Sequence, residues 1–153
     1  MSSVHQHSHA FPDEATIVVA NDAAEIDRAQ AQVVAVIERH HFPKAAVFAI
    51  RLSLHEAMSN AFRHGHAKLP PTIPVSVWYH VTDELVTLAV EDQGPGFDPK
   101  AVPDPTLEEN LERGSGRGLL LIRAYMASAE YNQKGNRLQM IFSRAKAQEL
   151  ADS

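Results

Sequence analysis

A two-layer α/β (α+β) sandwich, with helices packed on one face of a mixed or antiparallel sheet, is the fold class this sequence predicts. Three observations carry it. Two amphipathic helical stretches follow one short β-branched segment near the N-terminus. Next, VSVWYHV and LVTLAVE alternate with period two and are rich in β-branched and aromatic residues, as a hairpin is. A further apolar helix and a last hairpin complete the order βααββαββ, which lays helices against a sheet.

The first strand is ATIVVA, over 15–20. Asn21 or Asp22 then caps a helix over 25–40, with Ile26, Ala29, Val33 and Ile37 on one side. HFP interrupts it, and Pro43 suits the first turn of a second helix that continues to Gly65. The apolar stripe of that helix is Val47, Ile50, Leu54, Ala57, Met58 and Ala61, which should pack on the sheet. KLPPTIP holds three prolines in five residues and is a loop. The next two strands turn at Thr82, Asp83 and Glu84. DQGPGFDPKAVPDPTLEENLERGSGRG then holds four prolines and five glycines, and loops of that length are usually functional lids or disordered. LLLIRAYMASA is a helix, and AEYNQK and RLQMIFS pair around Gly135 and Asn136.

With 153 residues, the chain suits one domain with a real core. We place a flexible leader at 1–13, the folded domain at 14–145 and a polar tail at 146–153. In the leader, His5, His7 and His9 read as a solvated polar tail rather than a metal site, because ordering three imidazoles on a floppy segment is costly. Cysteine is absent, which excludes disulfides and thiol chemistry. A net charge of −5 without a clustered basic stripe argues against direct nucleic-acid binding. No apolar run approaches the roughly 20 residues of a membrane span, and the N-terminus lacks a signal-peptide pattern, so a cytoplasmic protein is expected.

Three stations carry chemistry. The first is LSLHEAMSNAFRHGH, where Glu56, Asn60 and His64 recur every four residues and stack on a flank beside the apolar stripe. A solvated helix face has the same pattern. A zinc-binding HExxH is excluded, since Ser59 stands where the second histidine belongs. The second station is VEDQGPGFD, in which Asp92 ends a strand and Gly94 and Gly96 follow. An ordinary turn can look like this. A functional one would let backbone approach a planar ligand, with an ionised aspartate accepting the exocyclic amine of adenine and repelling the carbonyl of guanine. The third is RGSGRGLLLIRAYM, where Gly114, Gly116 and Gly118 lead into a helix flanked by Arg113 and Arg117. Amides at a helix start make a phosphate cradle, while a flexible linker is the plain alternative. Neither the P-loop nor the dinucleotide glycine spacing is present.

In this order and on these elements, the three stations resemble the GHKL ATPase fold, over roughly 14–143. SLHEAMSNAFRHGH, the compact length and a short segment ending in LERGSGRGL look most like the anti-sigma-factor serine kinases of bacterial partner-switching systems. The resemblance implies ATP and Mg²⁺ as cofactors, with Asn60 as the magnesium-binding asparagine and Glu56 as the general base toward a serine or threonine hydroxyl. It implies Asp92 as the adenine-binding aspartate and Gly94 and Gly96 as the pocket floor. It gives 93–117 as an ATP lid, with Gly114, Gly116 and Gly118 around the phosphates and Arg113 and Arg117 as their charge partners. His64 takes a supporting role, or is a surface histidine. Met58, Ala61, Phe97, Leu119 and Ile122 are pocket lining or core.

One departure is visible. Many members carry Gly-Thr near the last hairpin, with its hydroxyl near the adenine; here Gly135 and Asn136 stand there, and Asn136 also suits a tight turn. The implied function is a kinase that binds a sigma factor and phosphorylates an anti-anti-sigma partner, as a homodimer. Two alternatives remain: an ATP-binding switch that sequesters a partner without phosphoryl transfer, and a histidine-kinase-type catalytic domain acting on a separate phosphoacceptor.

Overall fold

Period-two alternation predicts that every second residue of VSVWYHV faces a core. In a computed structural model, which describes residues 10–96 and 114–145, Val75, Val77, Tyr79 and Val81 are all buried. Nine elements follow one another. They are β1 (Glu14–Val19), α1 (Ala23–Arg39), α2 (Lys44–Asn60) with a π-helical turn (Ala61–Gly65) continuing it, β2 (Val75–Val81), β3 (Leu85–Glu91), α3 (Gly114–Tyr125), β4 (Ser128–Tyr131) and β5 (Arg137–Ser143).

The strands form one sheet in the order β1-β2-β3-β5-β4, and every pairing is antiparallel. The register explains the core. Tyr79 lies opposite Leu88, which lies opposite Met140, which lies opposite Ala129. All four are buried, so one face of the sheet is apolar from β2 to β4. Onto it pack Val33, Val36 and Ile37 of α1 and Ile50, Leu54, Ala57 and Met58 of α2. The stripe expected on the second helix is therefore the buried one, with Val47 at its half-buried edge. On the other face, Trp78 lies opposite Ala89, donates its indole N–H to Glu14 at 3.0 Å and carries the Arg137 guanidinium 5.7 Å from its ring centroid.

Local signals set the helix ends. The Asp22 carboxylate, rather than Asn21, caps α1 by accepting the Glu25 N–H at 3.1 Å. Glu25 in turn accepts the Ala20 N–H at 3.2 Å, two residues before the cap. At the other end His41 takes a left-handed conformation, φ 61°, and Phe42 N–H bonds back to Ile37. That reversal lets Pro43 open α2 antiparallel to α1. The last hairpin turns over five residues, not two. Asn132 Oδ1 accepts the N–H groups of Gly135, Asn136 and Arg137, and Gly135 supplies a positive φ of 80°.

The chain is tied down from Phe11 onward. Pro12 O accepts from Tyr79 Oη at 2.8 Å, and Arg39 bonds both Phe11 O and Asp13. His40 sits between two carboxylates, Nε2 at 2.9 Å from Asp13 and Nδ1 at 2.6 Å from Asp83. Arg144 covers the same corner by bonding Asp83 O and His40 O. The Asp13 hydrogen bond, then that of Asp83, raises the His40 pKa above its ordinary 6.5.

Two predictions arise from this architecture. Leu88→Ala, in the centre of the sheet, should lower unfolding free energy by about 2–5 kcal/mol in denaturant titration, whereas Val18→Ala on the exposed edge should change it by less than about 0.5 kcal/mol. Because His40 is raised on folding, its contribution is fully present below pH 6.5 and lost as pH rises through its folded value. His40→Gln should therefore flatten the fall in melting temperature across that window.

Candidate active site

Glycine decides how closely α2 and β3 meet. A Cβ added to Gly65 would collide with the Asp92 carboxyl, and one added to Gly94 would collide with the Gly65 carbonyl oxygen. The end of the helix thus lies directly on the Asp92 carboxyl and on the turn that follows β3. The sequence predicts one uninterrupted helix to Gly65; the structure instead places a π turn from Ala61 onward, closed by His66 N–H to Ala61 O at 3.0 Å. A π turn stacks residues five apart much as an α turn stacks those four apart. Gly65 is thereby brought round toward the flank of Asn60, about 7 Å further along the axis.

Asp92 is buried. Desolvation pushes its carboxyl above the ordinary 3.8, and the Gly94 N–H bonded to Oδ1 at 2.9 Å pulls the other way. Asn136 holds the aspartate's backbone on both sides. Asp92 N–H donates to Asn136 O at 2.8 Å, and Asn136 Nδ2 donates to Asp92 O at 3.1 Å. Asn136 Oδ1 accepts from Asn132 Nδ2 at 2.9 Å. Asn136 is thus a brace for the aspartate.

The third station reaches the same helix. A Cβ on Gly118 would stand 3.0 Å from both Asn60 Nδ2 and Glu56 Oε2. Glu56 and Asn60 are one turn apart, so α3 crosses α2 where that flank carries its carboxylate and amide. Asn60 is buried, and its Oδ1 has no hydrogen-bond partner among the described residues. A buried amide oxygen without a partner is uncommon in folded chains. Among the described residues, no group of three His, Asp or Glu could hold a metal ion alone.

A profile for the family described as "Histidine kinase-like ATPase domain" matches residues 19–142. The chain belongs to that family. This ATPase domain is also similar to serine-protein kinase RsbW of Staphylococcus epidermidis, 26% identical over 98 residues, covering 60% of this chain and 62% of that protein. RsbW from two strains of the same species matches to the same extent. The chain thus spans under two thirds of the relative's length.

Within the ATPase domain, the residues singled out from sequence fall in different places. Glu56 and Asn60 meet Gly118, and Asp92 and Gly94 meet Gly65 in the π turn that continues the same helix. Gly96 instead packs against Lys134 O, with φ 78°. His64 is exposed, and desolvation and then Arg63 lower its pKa. Gly114, Gly116 and Arg117 lie in the first turns of α3, which starts at Gly114, earlier than LLLIRAYMASA suggests. Arg113, Phe97 and most of the expected lid fall outside the described residues. Met58, Leu119 and Ile122 are buried in the core, and Ala61 is buried beside them. Sequence reading missed Gly65 and His66; the HGH tripeptide was the available signal. A cleft of roughly 480 Å³ along α1 and α2, lined by Lys44, Phe48, Arg51 and His55 among others, involves none of Asn60, Gly65 or Asp92. No helix among the described residues is long and apolar enough to cross a membrane.

A folded pKa raised above the unfolded one means that ionised Asp92 opposes folding at neutral pH, and that this penalty is relieved as pH falls through the folded value. Asp92→Asn keeps an oxygen for the Gly94 N–H. It should leave the melting temperature at pH 7 equal or higher, and should remove that pH dependence.

Proposed function

We propose that this ATPase domain is a Mg²⁺- and ATP-dependent protein serine/threonine kinase. In this reading it acts as an anti-sigma factor in a partner-switching system, and its substrate is an anti-anti-sigma antagonist protein. The observation that carries the reading is the meeting of Glu56 and Asn60 at Gly118, on the helix whose next turn closes on Asp92. A base-reading group, a metal-ligand atom and a proton acceptor then line one helix end. The likeness to a serine-protein kinase supports the choice of acceptor.

The residues present fit a magnesium ion. Asn60 Oδ1 is a hard oxygen donor, buried and unpaired. One protein ligand suffices, because magnesium keeps waters and takes phosphate oxygens for the rest of its octahedron. When bound, the ion neutralises charge on the β- and γ-phosphates. The chain's own groups do the rest. Asp92 accepts the adenine amine and orients the nucleotide. Helical amides at the start of α3 face the phosphates. Glu56 accepts the proton from the partner's serine hydroxyl as its oxygen bonds to the γ-phosphorus, the bridging P–O bond breaks and ADP leaves. Positioning and electrostatics supply most of such catalysis. A homodimer in the cytoplasm is part of the same reading, and sedimentation would measure the association.

The test is incubation with labelled ATP and a candidate antagonist protein. Glu56→Ala should lower phosphoserine formation by roughly 100-fold or more while ATP affinity stays within about threefold. Asp92→Asn should weaken ATP binding by about 10- to 150-fold, measured by calorimetry. Binding by the unaltered protein should fade as pH falls through the raised value of Asp92. Partner sequestration without transfer would establish the non-catalytic switch instead, and an acid-labile phosphohistidine product would establish the histidine-kinase type.

A further inference from the structure

His66 follows the π turn and takes no part in the chemistry above. Its ring is buried and meets Phe62 edge-on, with centroids 5.8 Å apart. The Gln93 N–H donates to His66 Nε2 at 2.8 Å. A ring nitrogen that accepts a hydrogen bond carries no proton, so the neutral ring holds its proton on Nδ1. Nδ1 is itself buried and has no hydrogen-bond partner among the described residues. A filler of this shape need not be a histidine; an apolar ring would pack on Phe62 without leaving a polar atom unpaired. What an apolar ring lacks is the acceptor for Gln93.

That acceptor completes a pattern around Asp92. The Asp92 N–H and C=O are both taken by Asn136. The Gln93 N–H is taken by His66, and the Gly94 N–H by Asp92 Oδ1. The bond to the Gln93 amide fixes the plane of the Asp92–Gln93 peptide, leaving only the φ and ψ of Gln93 between that plane and the Gly94 N–H. The Gly94 bond in turn sets the rotation of the carboxylate. Oδ1 is thereby engaged, and Oδ2 is the oxygen left to meet a base. The Gln93 side chain reinforces the same turn by donating to Pro74 O at 2.9 Å.

We propose that His66 is a positioning residue for nucleotide-base recognition: by accepting the Gln93 N–H, it fixes the turn after β3 and so aims the Asp92 carboxylate at the purine amine. The inference rests on the ATP-binding reading of the site. It differs from the role the sequence suggested for His64, two residues earlier and exposed.

Calorimetric titration with ATP and with GTP tests it, alongside thermal melting. His66→Phe keeps the edge contact with Phe62 and drops the acceptor. It should raise the Kd for ATP by about tenfold and shrink the preference for ATP over GTP. His66→Gln restores an oxygen near the place of Nε2, and should return the ATP affinity to within about threefold of the unaltered protein. His66→Asn, whose oxygen falls one atom short of Gln93, is the second loss variant and carries the same expectation as phenylalanine. In the kinase assay, the loss variants should raise KM for ATP with kcat little changed. A lowered melting temperature with unchanged ATP affinity would overturn the proposal, because a purely structural histidine behaves that way. So would equal losses in the phenylalanine and glutamine variants. Failure of the unaltered protein to bind ATP is a separate result: it removes the ATP reading itself, and this inference with it.

Discussion

The absence of a side chain at Gly65 is the constraint on which the rest of the structure depends. It allows the end of α2 to rest on the carboxyl of Asp92, with Gly94 resting in return on the Gly65 carbonyl. Any Cβ at either position would push the helix away from the strand, and the two halves of the site would part. The π turn serves the same contact. It adds a residue to the last helical turn and brings Gly65 toward the flank that already carries Glu56 and Asn60. A short approach between two glycines thereby joins an aspartate on the sheet to an amide on the helix.

Such proximity is costly for polar groups, and the costs gather where the chemistry is expected. Burial holds the Asp92 carboxyl above its ordinary range. Among the described residues, Asn60 Oδ1 and His66 Nδ1 are buried without hydrogen-bond partners, as is Ser53 Oγ further up α2. Folded chains leave few such atoms, and those they keep usually serve a ligand or hold a strained local arrangement. The sheet and the α1–α2 pair form a well-packed apolar layer that can bear these losses. The corner built from Asp13, His40, Asp83 and Arg144 anchors the far end of the same layer with exposed and half-buried charges.

The resemblance read from three short motifs agrees with the family match and with the architecture. The likeness to RsbW is more distant and partial, and it bears on the acceptor rather than on the fold. Glu56, Asn60 and Asp92 stand out in the sequence because each occupies a position that periodicity or strand ending marks out. Gly94 was legible as a residue but not in its reason: it closes on Gly65 rather than simply leaving room for a ligand. Asn136 was read as an open question, and its amide is spent on Asp92 and Asn132.

The sequence by itself determined the elements, their order and the buried face of each, because these follow from repeats of 2 and 3.6 residues that any folded solution must satisfy. It also determined which residues have the chemistry for a nucleotide, since carboxylate, amide and glycine are properties of single positions. Only the tertiary structure decided the π turn, the bond from Gln93 to His66, the service of Asn132 as the centre of its turn, and the crossing of α3 at Asn60. The bond from Gln93 to His66 and the crossing at Asn60 depend on groups distant along the chain coming within a few ångströms, and the two turns are set by what packs around them. No local pattern encodes such a distance; it is set by how the apolar layer packs.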